Sequence, residues 1–196
     1  MQLLREKILQ HGKHLGDGIL KVDAFMNHQL DSLLMKAIGQ EFAGKFAAMK
    51  PTRILTAETS GIAPALAAGI ELGVPVVFAR KHQPITMAPD PYREKSSSPT
   101  HKREVELIVS TEYMSADDRV LIIDDFLSSA RTLLALDKLV TQSGATLVGI
   151  GCVIEKRSFG GREQLKHITV PIESLAVIER FDGDQIILLQ DKEVVS

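Results

Sequence analysis

The chain has 196 residues, 44% of them hydrophobic and 24% charged, proportions of an ordinary globular protein that exclude a disordered chain, a collagen-like repeat or a disulfide scaffold. Lys and Arg number 23 against 25 Asp and Glu, for a formal charge of −2, so no global positive field exists to hold nucleic acid or an anionic membrane. The length favours a single domain over residues 1–196.

Leu3, Leu4, Ile8 and Leu9 recur at helical spacing before Gly12, and Leu33, Leu34, Ala37, Ile38, Phe42 and Phe46 do so after Asp31, which predicts two amphipathic helices. Between them GDGILKVDAFMNHQLD shows no clean period and reads as a covering loop or short strand. The opening MQLLREKILQHGKH mixes charged with apolar residues, and no run reaches the length of a membrane span, so a soluble, cytoplasmic protein is expected. The single cysteine, Cys152, fits a reducing compartment and excludes an internal disulfide or a paired-cysteine zinc site.

After Pro51, short β-branched runs alternate with helical segments: strand 53–57, helix 64–72, strand 74–80, then strand 119–123, helix 132–142 closed by Gly144, and strand 146–154. This grammar predicts βαβ units and an α/β fold, and the nearly all-apolar strands predict a parallel sheet buried on both faces. Stretches 172–180 and 185–189 read as late strands at its margin. Residues 83–99 hold four prolines and three consecutive serines and predict a mobile lid, within a flexible loop of about 83–104.

The strongest chemical signal is VLIIDDFLSSART at 120–132, where an apolar strand ends in Asp124 and Asp125 and a serine-rich turn opens a helix carrying Leu133, Leu136, Leu139 and Val140. Ligands of open α/β sheets bind at the carboxyl ends of strands, and the unpaired N–H groups of a helix's first turn suit a phosphate. Ser128, Ser129 and Thr132 add hydroxyl donors, and the carboxylates suit the vicinal hydroxyls of a ribose and a Mg²⁺ ion. The commoner nucleotide motifs, G-x-G-x-x-G and G-x-x-x-x-G-K-[ST], are absent. On its own, Asp-Asp-x-x-Ser-Ser also reads as a simple helix cap.

VLIIDDFLSSART resembles the phosphoribosyl-pyrophosphate (PRPP) binding motif of the type I phosphoribosyltransferases. GILKVDAFMNHQLDSLLM, SGIAPALAAGIELGVPVVFARKH and GIGCVIEK resemble the xanthine phosphoribosyltransferase family, in the same order, over roughly residues 1–190. The resemblance implies the type I phosphoribosyltransferase fold: a mainly parallel sheet flanked by helices, with a flexible lid and a small hood built from about residues 1–30 and the C-terminal strands. It also implies a glycosyl transfer in purine salvage, moving the 5-phosphoribosyl group of PRPP to xanthine and releasing pyrophosphate. Mg²⁺ would arrive with PRPP and be held by no metal site of protein side chains alone, and the enzyme would act as a homodimer.

Carried over position by position, the resemblance assigns Asp124 and Asp125 to the ribose hydroxyls, where fixed carboxylates steady the positive charge that builds at C1′. Ser128, Ser129, Ala130, Arg131 and Thr132 would cradle the 5′-phosphate. Thr59, Ser60 and Gly61 would form the pyrophosphate loop, with Arg80 and Lys81 neutralising the leaving group, in reach of a dimer interface. Leu20, Asn27 and Lys156 would meet the base. Asn27 offers both donor and acceptor to a 2-oxo edge, whereas donor-only Lys156 suits a 6-oxo group and disfavours a 6-amino one. Phe126 and Phe159 are further candidates to stack on the purine.

Two positions depart from the family pattern. Ala130 stands where glycine is usual and disfavours a positive φ, so either the turn avoids that conformation or PRPP binding weakens, with Arg131 as a compensating charge. Ser128 stands where hypoxanthine-using relatives carry an Asp as proton acceptor. The competing readings are a phosphoribosyltransferase preferring guanine or hypoxanthine, and a non-catalytic PRPP-binding purine regulator. The second needs a DNA-binding module, and no basic recognition helix is visible.

Overall fold

The computed structural model describes residues 1–97 and 104–189. Helix α1 (Gln2–His11) buries Leu4 and Ile8. The aperiodic segment that follows folds as a small antiparallel hairpin, β1 (Lys13–His14) and β2 (Leu20–Lys21), and then a π-helical turn at Asp23–Asn27 that buries Phe25 and Met26. Helix α2 (Ser32–Phe46) begins at Asp31, whose Oδ1 accepts the amides of Leu33 and Leu34, both at 3.1 Å. That cap satisfies two of the N–H groups a helix start leaves open.

The remaining elements are β3 (Arg53–Ala57), α3 (Ile62–Leu72), β4 (Val76–Ala79), β5 (Tyr92–Ser97), β6 (Glu104–Val109), β7 (Arg119–Leu127), α4 (Arg131–Ser143), β8 (Thr146–Lys156), α5 (Gly161–Gln164), β9 (Ile172–Asp182) and β10 (Gln185–Leu188). The main sheet has six strands in the order β10-β9-β8-β7-β3-β4. Its neighbours pair in parallel except at the β9–β10 edge. Gly149 and Gly151 lie on one face of β8, and a Cβ at either would come within 2.6–2.7 Å of Phe46 or Phe42. Two missing side chains thus let α2 press its phenylalanines onto the strand. Truncating either fully buried ring to Ala should cost about 3–5 kcal/mol.

Two expectations need correction. Strand β7 does not end at Ile123 but continues through Asp124 and Asp125 to Leu127, because Phe126 and Leu127 still find partners in Ile154 and Glu155 of β8. The stretch expected as a lid is partly regular: Tyr92–Ser97 pairs antiparallel with Glu104–Val109, Tyr92 opposite Val109. The run Glu104–Val109, which alternates only over its first residues and ends in the apolar Leu107, Ile108 and Val109, carries a short strand signal that the neighbouring prolines and serines obscured. Residues 98–103 of the expected flexible loop lie outside the described residues.

At the amino ends of the strands, Asp118 gathers a polar network. It pairs with Arg53 at 3.0 Å, accepts the Thr52 hydroxyl at 3.0 Å and accepts the Ser115 amide at 2.9 Å. This end staples β3 to β7, which leaves the carboxyl ends of the same strands for chemistry.

Candidate active site

At the carboxyl ends of β3, β7 and β8 lies a cleft of about 1370 Å³, walled by Asp124, Asp125, the turn 128–132, Ser60, Lys81 and Lys156. Asp124 is 4% exposed. Burial and the adjacent Asp125 push its carboxyl well above the usual carboxylate range, with Lys81 acting in the opposite sense. Asp125 is also raised by burial, opposed by hydrogen bonds from the Ser60 hydroxyl and the Phe126 amide; the Phe126 N–H donates to Oδ1 at 2.9 Å. Two adjacent carboxylates at the floor of a cleft, Asp124 buried and Asp125 half-buried, suit polyhydroxyl and cation partners.

The loop between β3 and α3 lies directly over this pair. A Cβ on Gly61 would sit 2.2 Å from Thr56 Oγ1 and 2.6 Å from Asp124 Oδ1, so only glycine lets the backbone pass. Thr56 is fully buried, and its hydroxyl finds no hydrogen-bond partner among the described residues. Glu58, at the loop's start, accepts the Lys81 amide at 2.7 Å and so ties it to the end of β4.

Across the cleft, the turn after β7 enters α4 through Ala130, at φ 62° and ψ 5°. The turn therefore does not avoid the left-handed region: it adopts the conformation that a glycine would take and holds an alanine there, at about 1–2 kcal/mol of local strain. The first turn of α4, at Arg131 and Thr132, then opens toward the carboxylates.

Lys156 closes the other end. Its ammonium donates to the Gly18 carbonyl at 3.0 Å and lies 4.4 Å from the Phe159 ring centroid and 5.6 Å from that of Phe126. Burial lowers its pKa, and Asp125 opposes the shift. The preceding residue, Glu155, is clamped by Arg162, which bonds both carboxylate oxygens, the Ile172 carbonyl at 2.8 Å and the Ser174 hydroxyl at 3.0 Å. That part-buried network anchors the chain just before Lys156.

Other expected site residues do not line the cleft. Arg80 turns its guanidinium over Phe78, two positions earlier on the same side of the strand, at 5.4 Å, whereas Lys81, past the end of β4, lines the cleft. Leu20 is 7% exposed and packs in the core. Asn27 is exposed at the end of the π-helical turn and Thr59 is exposed in its loop, and neither forms part of the wall. Glu58 and Gly18, by contrast, line it without having been anticipated. Among the described residues no cluster of His, Cys, Asp and Glu is placed to hold a metal, and no helix is long and apolar enough to cross a membrane.

Parallel strands that deliver two acids, a left-handed turn into a helix and a glycine loop to one cleft define the type I phosphoribosyltransferase class. The fold is shared with an adenine phosphoribosyltransferase from Rhodothermus marinus, at TM-score 0.74 and 19% identity over 91% of this chain and all of that one. The phosphoribosyl transferase domain family matches residues 26–178. A xanthine phosphoribosyltransferase of Deinococcus deserti is 50% identical over 93% of this chain and 94% of its own. One of Moorella thermoacetica is 48% identical over 95% of each. The chain belongs to the xanthine phosphoribosyltransferase family.

Proposed function

We propose that this enzyme transfers the 5-phosphoribosyl group of PRPP to N9 of xanthine, giving xanthosine 5′-monophosphate and pyrophosphate, in cytoplasmic purine salvage. The observation that carries the reading is the single cleft that brings Asp124 and Asp125, the α4 turn and Lys156 together, beside kinship at about half identity with enzymes of that name. In this reading Asp124 and Asp125 hold the ribose hydroxyls and stabilise the charge that develops as the C1′ bond to pyrophosphate breaks. Ser128, Ser129, Ala130, Arg131 and Thr132 receive the 5′-phosphate at the start of α4. Ser60, Gly61 and Lys81 receive pyrophosphate, and Lys156 donates to the 6-oxo group of the base.

Phosphoribosyltransferases generally use Mg²⁺ with PRPP, and the adjacent carboxylates of Asp124 and Asp125 fit such an ion. When bound with PRPP, the ion would neutralise pyrophosphate as it leaves. The cleft residues orient the sugar and exclude water from C1′. The working unit is a homodimer, with Arg80 and Thr59, outside the cleft of one chain, on the surface that a second copy meets. Leu20 supports the base end from behind, inside the core, and Asn27 reaches the base through movement of its exposed turn.

Incubation with PRPP, Mg²⁺ and each purine, followed by pyrophosphate release, tests the reading. Xanthine should turn over fastest, with guanine and hypoxanthine slower. No turnover with any purine sinks it, and a salt-dependent shift of duplex DNA would favour a regulator instead.

A further inference from the structure

The base end of the cleft holds a hydrogen-bonding pair that Lys156 by itself does not account for. Lys156 Nζ and the Gly18 carbonyl oxygen stand 3.0 Å apart, and both residues line the cleft. An ammonium has three donors and a carbonyl oxygen two lone pairs, so neither is exhausted by the other. Side by side they offer one donor and one acceptor to an entering ring. Phe159 floors the pair: its centroid lies 4.4 Å from Nζ, and a Cβ on Gly18 would meet its ring at 2.3 Å.

The carbonyl is held in place. Gly18 sits at the tip of the β1–β2 hairpin, where Gly16, Asp17 and Gly18 all take positive φ. Its amide donates to His14 Nε2 at 3.3 Å, and His14 Nδ1 meets the Gly183 carbonyl at 2.7 Å. Those partners require the Nδ1–H tautomer. The imidazole also stacks on Phe181 at 4.2 Å between centroids and 10° between planes. A rigid path thus runs from the β9–β10 turn through His14 to the tip that faces Lys156.

The geometry points to the Gly18 carbonyl as a second reader of the base, accepting N1–H of a 6-oxopurine whose O6 takes the Lys156 ammonium. 6-Oxopurines carry those complementary groups on neighbouring atoms of one edge, the edge that enzymes commonly read on an extruded base. Adenine carries an acceptor at N1 beside a donor amine and mismatches both protein groups. The pair does not separate xanthine from guanine or hypoxanthine, which share the edge. His14 is a positioning residue that acts through Gly18. The inference rests on the proposed placing of Lys156 against the base.

Steady-state kinetics with xanthine and 1-methylxanthine test it, because the methyl group removes the N1–H and leaves O6. The wild-type enzyme should show a KM at least about tenfold higher for 1-methylxanthine; equal values overturn the Gly18 role. His14→Ala should raise the KM for xanthine, narrow that discrimination and leave the KM for PRPP unchanged. His14→Gln, which keeps a donor and an acceptor, should restore both readouts. A parallel rise in both KM values, or no rescue by Gln, overturns the positioning role. A Lys156→Met variant with an unchanged KM for xanthine overturns the underlying base reading. Its loss of xanthine affinity, combined with equal use of 1-methylxanthine by the wild type, removes Gly18 alone.

Discussion

Gln142 hydrogen-bonds both backbone groups of Arg93: its Nε2 donates to the Arg93 carbonyl at 2.9 Å and its Oε1 accepts the Arg93 amide at 3.2 Å. A side chain of α4 thereby takes the place of a neighbouring strand at the free edge of β5, and Lys138 adds an ion pair to Glu94 at 2.9 Å. Helix α4 therefore begins at the turn 128–132 and ends at the base of the hairpin that sends Ser96, Val105 and Leu107 into the same cleft. Gln142→Ala should cost about 1 kcal/mol, felt locally. Amide exchange across Tyr92–Ser97 should quicken while β7 and β8 stay protected; uniform quickening would mean that the clamp serves the whole fold.

Ala130 pays a conformational penalty that glycine would not. Ala130→Gly relieves about 1–2 kcal/mol of left-handed strain and forfeits about 0.5–1 kcal/mol in chain entropy, along with some contact from a methyl group that is now buried. A net gain of about 0.5 kcal/mol is expected, a rise in Tm of roughly 1–2 °C, with the KM for PRPP unchanged or lower. A fall in Tm would show that the methyl contact outweighs the strain.

Gly61 allows the loop to lie over Asp124, and a methyl group there collides first with Thr56 Oγ1 and then with Asp124 Oδ1. Gly61→Ala should destabilise the fold by about 1–3 kcal/mol through overpacking and lower kcat by displacing the acid. Adding Thr56→Ala removes the nearest obstacle, so the double variant should recover stability more than activity. Equal recovery of both would mean that Asp124 is not displaced.

Asp118 carries a pH dependence. Burial pushes its carboxyl upward, but the Ser115 amide, Arg53 and Thr52 outweigh that and leave its pKa below the usual value. A depressed carboxyl contributes stability that is full above the unfolded-state pKa, about 3.9, and is lost as pH falls through the folded-state value. Asp118→Asn should therefore cost about 1–3 kcal/mol near neutral pH. Denaturant melts should show the gap from wild type closing below about pH 4; a gap constant with pH would assign the loss to packing.

Residues with a one-dimensional signature were legible in the chain. Strand 53–57 matches β3 end for end, and the helices and strands from residue 119 onward differ mainly at their limits, because apolar periodicity survives any tertiary arrangement. The hairpin of β5 and β6 was missed since three prolines, Pro84, Pro89 and Pro91, precede β5, and Ser98 and Pro99 follow it. The different surroundings of Arg80, over Phe78, and Lys81, in the cleft, were invisible because adjacent cations look equivalent until the end of β4 places each against its own neighbours. His14 and Gly18 carried no motif at all; their partners, Gly183 and Lys156, lie far along the chain.

The sequence by itself determined the α/β class through local spacing, carried the resemblance to the family, and placed the candidate acids and the candidate turn side by side in one contiguous run. Tertiary structure alone decided that Ala130 keeps the left-handed turn, that Gly61 packs on Asp124, and that Lys156 faces a backbone carbonyl of the N-terminal hairpin. Each of these depends on distances between segments that chain order does not constrain, and such distances exist only once the strands are in register.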